Sequence, residues 1–154
     1  MKKHTYQTNL IWTGNRGTGT TNYRDYDRDY DIHIMGKPVI LGSSDPAFLG
    51  DPKRHNPEEQ LVAALSSCHL LWYLHLCAEA GVVVIEYEDE ASGVMIENEN
   101  GSGQFSEVTL RPRVRVRKQM MVKQAEVLHE EAHGLCFIAR SVNFPVYVEG
   151  DVAF

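Results

Sequence analysis

Cysteine is scarce in this sequence: Cys68, Cys77 and Cys136 are the only three among 154 residues. An odd, small number does not build a disulfide framework. Nor does the N-terminal segment MKKHTYQTNL carry an apolar stretch behind Lys2 and Lys3, so no secretory signal is read there. Both features point to a cytoplasmic protein with free thiols. Basic charge is also short. Lys and Arg number 15 against 21 Asp and Glu, for a net charge of −6, so the chain lacks the electrostatic footprint of a nucleic-acid binder. Repeats, low-complexity stretches and linkers are missing. One uncharged run, Leu61 to Ala78, approaches the lower limit of a membrane span. It contains Ser66, Ser67, His69 and His75, with Glu58, Glu59 and Glu79 on its flanks and no basic residue. We therefore read it as a central core helix, with no membrane partner. At 43% hydrophobic and 23% charged residues, the composition is that of a folded globular chain, and the length fits one domain over 1–154.

Secondary-structure signals alternate along the chain. Strands are expected at Tyr6–Trp12, around Tyr30, Ile32 and Ile34, and at Pro38–Leu41, with the Gly/Thr-rich turn GNRGTGTTN between the first two. Residues 42–56 (GSSDPAFLGDPKRHN) read as a long loop. A helix then opens at Asn56, with Pro57 at its first position and Glu59 placed for a capping box. It should run to about Ala80 and stop at Gly81. Further strands are expected at Val82–Tyr87, Val94–Glu97, Phe105–Arg117 and Pro145–Val148, with a second helix from Gln119 to His133 ending at Gly134. This order predicts an α+β fold.

Several constellations hold chemistry-bearing residues. Cys68 and Cys77 are nine residues apart on the first helix, about half a turn around its axis. They face opposite sides, which leaves Cys77 to packing. Cys136, just past the second helix, is the other candidate for a redox pair with Cys68. His129-Glu130-Glu131-Ala132-His133 matches the HExxH zinc pattern, with both histidines on one helix face and Glu130 as base. Only Glu149 stands downstream as a carboxylate third ligand among glutamates. A zinc hydrolase is the alternative this motif keeps open. Asp25, Asp27, Asp29 and Asp31 lack the Gly and Glu of a calcium loop and read as a solvated strand face. Arg111, Arg113, Arg115 and Arg117 read as the charged face or protected edge of a strand.

The pieces NPEEQLVAALSSC (Asn56–Cys68) and HEEAHGLCFIARSVNFPV (His129–Val146) resemble the two signature regions of the OsmC/Ohr family of thiol peroxidases. The resemblance implies an α+β OsmC-like fold, with antiparallel sheets wrapped around long central helices in an intertwined homodimer. It implies Cys68 as peroxidatic thiol, Cys136 as resolving thiol and Glu58 as active-site glutamate. It also implies an active-site arginine, placed at Arg16, with Arg24 and Arg28 as neighbouring alternatives. The implied activity is reduction of organic hydroperoxides through a Cys68 sulfenic acid and a Cys68–Cys136 disulfide. A dithiol reductant, lipoyl in some relatives, would recycle the enzyme with no metal or bound cofactor. After Cys136 the chain reads Phe137-Ile138-Ala139-Arg140, a departure from the better-known family pattern. A non-catalytic, small-ligand-binding member of the same fold is a further alternative.

The chemistry makes its own demands. A free thiol ionises near pH ~8.5 and burial opposes ionisation, so a mid-helix Cys68 needs a cation, which the arginine would supply and the glutamate orient. Glu58 and Cys68 lie ~15 Å apart along one helix, too far to share a guanidinium. An antiparallel second copy, with its two-fold axis near Ala63, brings Glu58 of one chain level with Cys68 of the other. An organic peroxide also needs an apolar pocket, for which Leu65, Leu71, Trp72, Phe48 and Phe137 are candidates. Leu65 and Trp72 are equally readable as core.

Overall fold

The computed structural model describes all residues from Met1 to Phe154. The chain falls into two compact units, Met1–Gln60 and Leu61–Phe154, with the boundary inside the first helix.

The first unit is built on an antiparallel sheet of β1 (Asn9–Trp12), β2 (Tyr30–His33) and β3 (Ile40–Gly42). Its register sets Leu10 opposite Ile32 and Ile32 opposite Ile40. Between β1 and β2 the chain makes a tight excursion. Asn15 Oδ1 accepts the amides of Gly17 and Gly19, at 2.8 and 3.0 Å. The backbone of Gly14 lies so close to the opposite strand that a Cβ would sit 1.9 Å from the Asp27 carbonyl oxygen. The aspartate run is not simply a solvated strand face. Asp29 and Asp31 are half-buried and pair with Arg54 at 3.2 and 3.1 Å, because a half-buried carboxylate needs a cation. The long loop holds a 3-10 turn, Pro46–Phe48, capped where Asp45 Oδ1 accepts the Ala47 amide at 2.7 Å.

Helix α1 (Pro57–Glu79) begins and ends where the sequence signals place it. Asn56 Oδ1 accepts the Glu59 amide at 2.7 Å, and Glu59 Oε2 accepts the Asn56 amide at 3.4 Å, a reciprocal capping box. Gly81 takes a left-handed φ of 72°, and the Val82 amide returns to the Cys77 carbonyl at 2.8 Å, which closes the helix. Within the single chain this central helix is buried along one side only. Only Leu65, His69, Tyr73 and Cys77 are buried, one stripe at i, i+4 spacing. Over its most apolar window the helix is 22% buried and is long and apolar enough to cross a membrane. One chain alone does not cover its other faces.

The second unit carries two three-stranded sheets, β4–β7–β9 and β5–β6–β8. The strands are β4 (Val84–Asp89), β5 (Ser92–Glu97), β6 (Gly103–Leu110), β7 (Pro112–Val116), β8 (Val146–Val148) and β9 (Asp151–Ala153). The sheets are mixed rather than antiparallel, since β6–β8 and β7–β9 run parallel. The single strand expected over 105–117 breaks at Arg111, and its halves join different sheets. Pro112 has no amide to donate, and the Arg111 amide turns instead to Asp89 Oδ1 at 2.6 Å. Of the arginine stripe, Arg113 and Arg115 lie on β7, the middle strand of its sheet, with Arg111 and Arg117 just outside its ends. Arg115 pairs with Glu86, Arg113 with Glu88 and Glu90, and Arg111 with Glu149. Helix α2 (Val122–Leu135), preceded by a 3-10 turn over Gln119–Met121, runs through Gly134. It stops at Cys136, whose backbone is extended (φ −63°, ψ 111°). Two apolar clusters fill the unit. One gathers Tyr73, Cys77, Val114, Val116, Ala125 and Ala132. The other gathers Leu65, Val108 and Leu110.

Candidate active site

Cys68 sits half-buried on the fourth turn of α1, one residue before the buried His69. Cys136 is 1% exposed at the C-terminal end of α2. Cys68 lies near enough to Cys136 to contribute to the raised pKa of its thiol. Burial first, and the nearby Cys68 second, push the Cys136 thiol up to about 11 against opposing backbone amides of Ala139 and Ile138. The Cys136 thiol therefore stays protonated near neutral pH. Ala139 donates its amide to Cys136 Sγ at 3.4 Å. Both thiols are free. Cys77 is 1% exposed in the first core cluster, as its opposite position on the helix predicts.

A buried aromatic stack locks the two cysteine-bearing helices together. His69 Nε2 and His129 Nδ1 share one proton across 3.1 Å. The His129 ring stacks on Tyr73 with centroids 4.0 Å apart and planes 10° apart. Tyr73 Oη donates to the Ala125 carbonyl at 3.1 Å. Burial lowers both imidazoles to about 4. His133 adds to the burial effect on His69 while Asp89 opposes it, and His69 adds to the burial effect on His129. Both rings are thus neutral at pH 7. Sequence reasoning missed this function for His69 and Tyr73. Their signal was present as the i, i+4 stripe on α1, but the partner ring comes from a helix 60 residues away.

In the HExxH stretch His129 bonds His69 through Nδ1 while its Nε2 has no partner, and Glu149, the downstream glutamate, is paired with Arg111 at 3.2 Å. No group of three or more His, Cys, Asp or Glu side chains is arranged to hold a metal ion.

Of the apolar candidates, Leu65 is fully buried against Val108 and Leu110, which is the core reading and corrects its place in a substrate pocket. Trp72 is half-buried and meets Phe137 edge-on at 5.5 Å. Leu71 and Phe137 are each 67% exposed. Within the first unit, Phe48 is half-buried in the 3-10 turn, and Glu58 is half-buried in the first turn of α1. Arg16 is exposed and tied to its own turn, through the carbonyls of Arg24 and Asp25 and an ion contact with Asp27 at 3.8 Å. Arg28 is half-buried. Its guanidinium lies 4.2 and 4.3 Å from the ring centroids of Tyr23 and Tyr26 and donates to both their carbonyls. Cation–π and carbonyl contacts hold it rigidly. Arg24 is exposed.

A family model described as OsmC-like protein matches residues 50–149, the stretch that carries both cysteines. The chain belongs to the OsmC-like protein family. This OsmC-like protein is 32% identical to an OsmC-like protein of unknown function from Vibrio cholerae, over 97% of this chain and 100% of the other, with a TM-score of 0.86. It shares its fold with an organic hydroperoxide resistance protein from Elizabethkingia anophelis (19% identity, 99% of both chains, TM-score 0.69). A further likeness is to an organic hydroperoxide resistance protein from Legionella pneumophila (12% identity, 100% of both chains, TM-score 0.67). No functionally curated protein matches the sequence.

Proposed function

We propose that this OsmC-like protein is a thiol-dependent peroxidase that reduces organic hydroperoxides to alcohols. The observation that carries the reading is the proximity of two free thiols, with Cys68 near enough to Cys136 to raise its pKa. A peroxidatic sulfur needs its resolving partner nearby, and both thiols are free. Cys68 attacks the O–O bond as thiolate, an alcohol leaves, and Cys68 becomes a sulfenic acid. Cys136 condenses with it to a disulfide, which an external dithiol of lipoyl type reduces. The apolar surface of Leu71, Trp72 and Phe137 suits an organic rather than an inorganic peroxide. Family membership and the hydroperoxide-resistance proteins that share the fold support the same redox class.

The working enzyme on this reading is a cytoplasmic homodimer. The uncovered faces of α1, with Ala63, Leu71 and Leu74 exposed, are the surface a second copy would cover. That copy would bring Glu58 and a guanidinium, of Arg16 or of Arg28, to each Cys68 as the counter-charge its thiolate requires.

Peroxide consumption with cumene hydroperoxide and a dithiol tests the assignment. Cys68→Ser should abolish turnover, and Cys136→Ser should allow one turnover at most unless an added thiol replaces it. Equal multi-turnover rates for wild type and Cys68→Ser would overturn the proposal.

A further inference from the structure

We infer that the cavity between α2 and the β8–β9 turn is a binding site for a small organic cation with N–H donors, of the alkylammonium or guanidinium class. The site is independent of the peroxidase reading, and neither Cys68 nor Cys136 lines the cavity. Its volume is about 370 Å³, within the range of small-molecule sites. Glu126, His129, Glu130 and His133 stand at i, i+3, i+4 and i+7 on α2 and form one wall. Val146, Val148 and Gly150 face them.

Two buried nitrogens on that wall lack partners. His129 is 7% exposed and turns Nδ1 to His69, while its Nε2 is buried with no hydrogen bond. His133 Nδ1 is buried and unpartnered as well. Such orphans are rare in folded proteins, and here both belong to residues that border one cavity. Gly150 lies against the outer edge of the His129 ring, where a Cβ would sit 2.9 Å from Nε2 and 2.9 Å from Cδ2. Its φ is not left-handed, so the backbone does not demand glycine at this position. The missing side chain keeps the space beside Nε2 unfilled. Gly150 is itself exposed, and a small outward movement of its turn admits a donor atom to Nε2.

Charge selects the class of ligand. Glu126 and Glu130 are exposed and take part in none of the ion pairs of the fold. His129, lowered to about 4 by burial, is neutral at pH 7 and does not offset them. The cavity therefore repels anions and attracts a cation, whose N–H groups find acceptors in the two carboxylates and in His129 Nε2. No three ligating side chains converge on one point, as a metal ion would need. An extended organic cation instead reaches acceptors spread along a wall, and Val146 and Val148 take its alkyl part.

Isothermal titration calorimetry of the full-length protein with butylguanidinium, at pH 7 and low salt, tests the site. Binding should saturate at one per chain with a millimolar or tighter constant. Tetramethylammonium has the charge without N–H groups, and butanol has the chain without the charge. Each should bind more weakly by about tenfold or more. Glu126→Gln and Glu130→Gln should each weaken butylguanidinium about two- to fivefold. Gly150→Ala, which covers the edge of His129, should weaken it about tenfold or more. Imidazole ¹⁵N spectra of the complex should show His129 Nε2 as an acceptor, with the ring proton held on Nδ1. Circular dichroism and thermal unfolding verify folding of each variant. No saturable binding of butylguanidinium, unchanged affinity in the double variant Glu126→Gln/Glu130→Gln, equal binding of tetramethylammonium, or a His129 protonated on Nε2 in the complex would overturn the proposal. Peroxide turnover is a separate measurement, so failure of either reading leaves the other standing.

Discussion

Acidifying the protein from pH 7 to pH 4 forces protons onto His69 and His129, two imidazoles that are 0% and 7% exposed and face each other across one hydrogen bond. Burial lowers each from 6.5 to about 4. In the unfolded chain both return to about 6.5. Below pH 6.5 the unfolded state therefore binds more protons than the folded one, and stability falls with pH. The contribution is complete above pH 6.5 and is lost as pH drops toward 4. A shift from 6.5 to about 4 is worth about 3 kcal/mol per imidazole at ~1.4 kcal/mol per pH unit. The pair shares a proton, so the combined loss lies between about 3 and 7 kcal/mol, against a typical total stability of about 5–15 kcal/mol. Urea unfolding at closely spaced pH values between 7 and 5, above the range where most carboxylates titrate, reads the slope. It should approach about 2.7 kcal/mol per pH unit at the acid end for two protons taken up by the unfolded state. The double variant His69→Gln/His129→Gln, which carries neither titrating ring, should show a markedly flatter profile whatever its stability at pH 7. A wild-type profile flat from pH 7 to 5, or a double variant with the same slope, would refute the assignment of acid lability to this pair.

Leu65→Ala removes a fully buried side chain from the second core cluster and should cost about 2–5 kcal/mol in chemical denaturation. Gly14→Ala should destabilise by about 1–3 kcal/mol or more in thermal unfolding, because its Cβ would sit 1.9 Å from the Asp27 carbonyl oxygen and the turn must open. Charges placed on the uncovered face of α1, as Ala63→Glu with Leu71→Glu, should convert a dimer to a monomer in light scattering and lower hydroperoxide turnover with it. A monomeric wild type of full activity at micromolar concentration would refute the shared site.

Much of this protein was legible in local chemistry. The Asn56–Glu59 capping box and the Gly81 stop are interactions between near neighbours, so the sequence alone bounds α1 correctly. The opposite orientations of Cys68 and Cys77 follow from helical periodicity, and the signature residues carried the family. What the residues could not give is where long-range partners lie. The Phe105–Arg117 run alternates like one strand, and only the competing Asp89 carboxylate, 22 residues upstream of Arg111, breaks it at Pro112 into two sheets. Gly134 reads as a stop, yet it stays helical until Cys136 turns extended. HExxH reads as a metal motif, and nothing in its spacing announces the bond between His129 Nδ1 and His69 on another helix. Local hydrogen bonds depend on residues a few positions apart, so sequence fixes them. The identity of a buried partner depends on which distant segments the core brings into contact, and that is decided only when the tertiary structure forms.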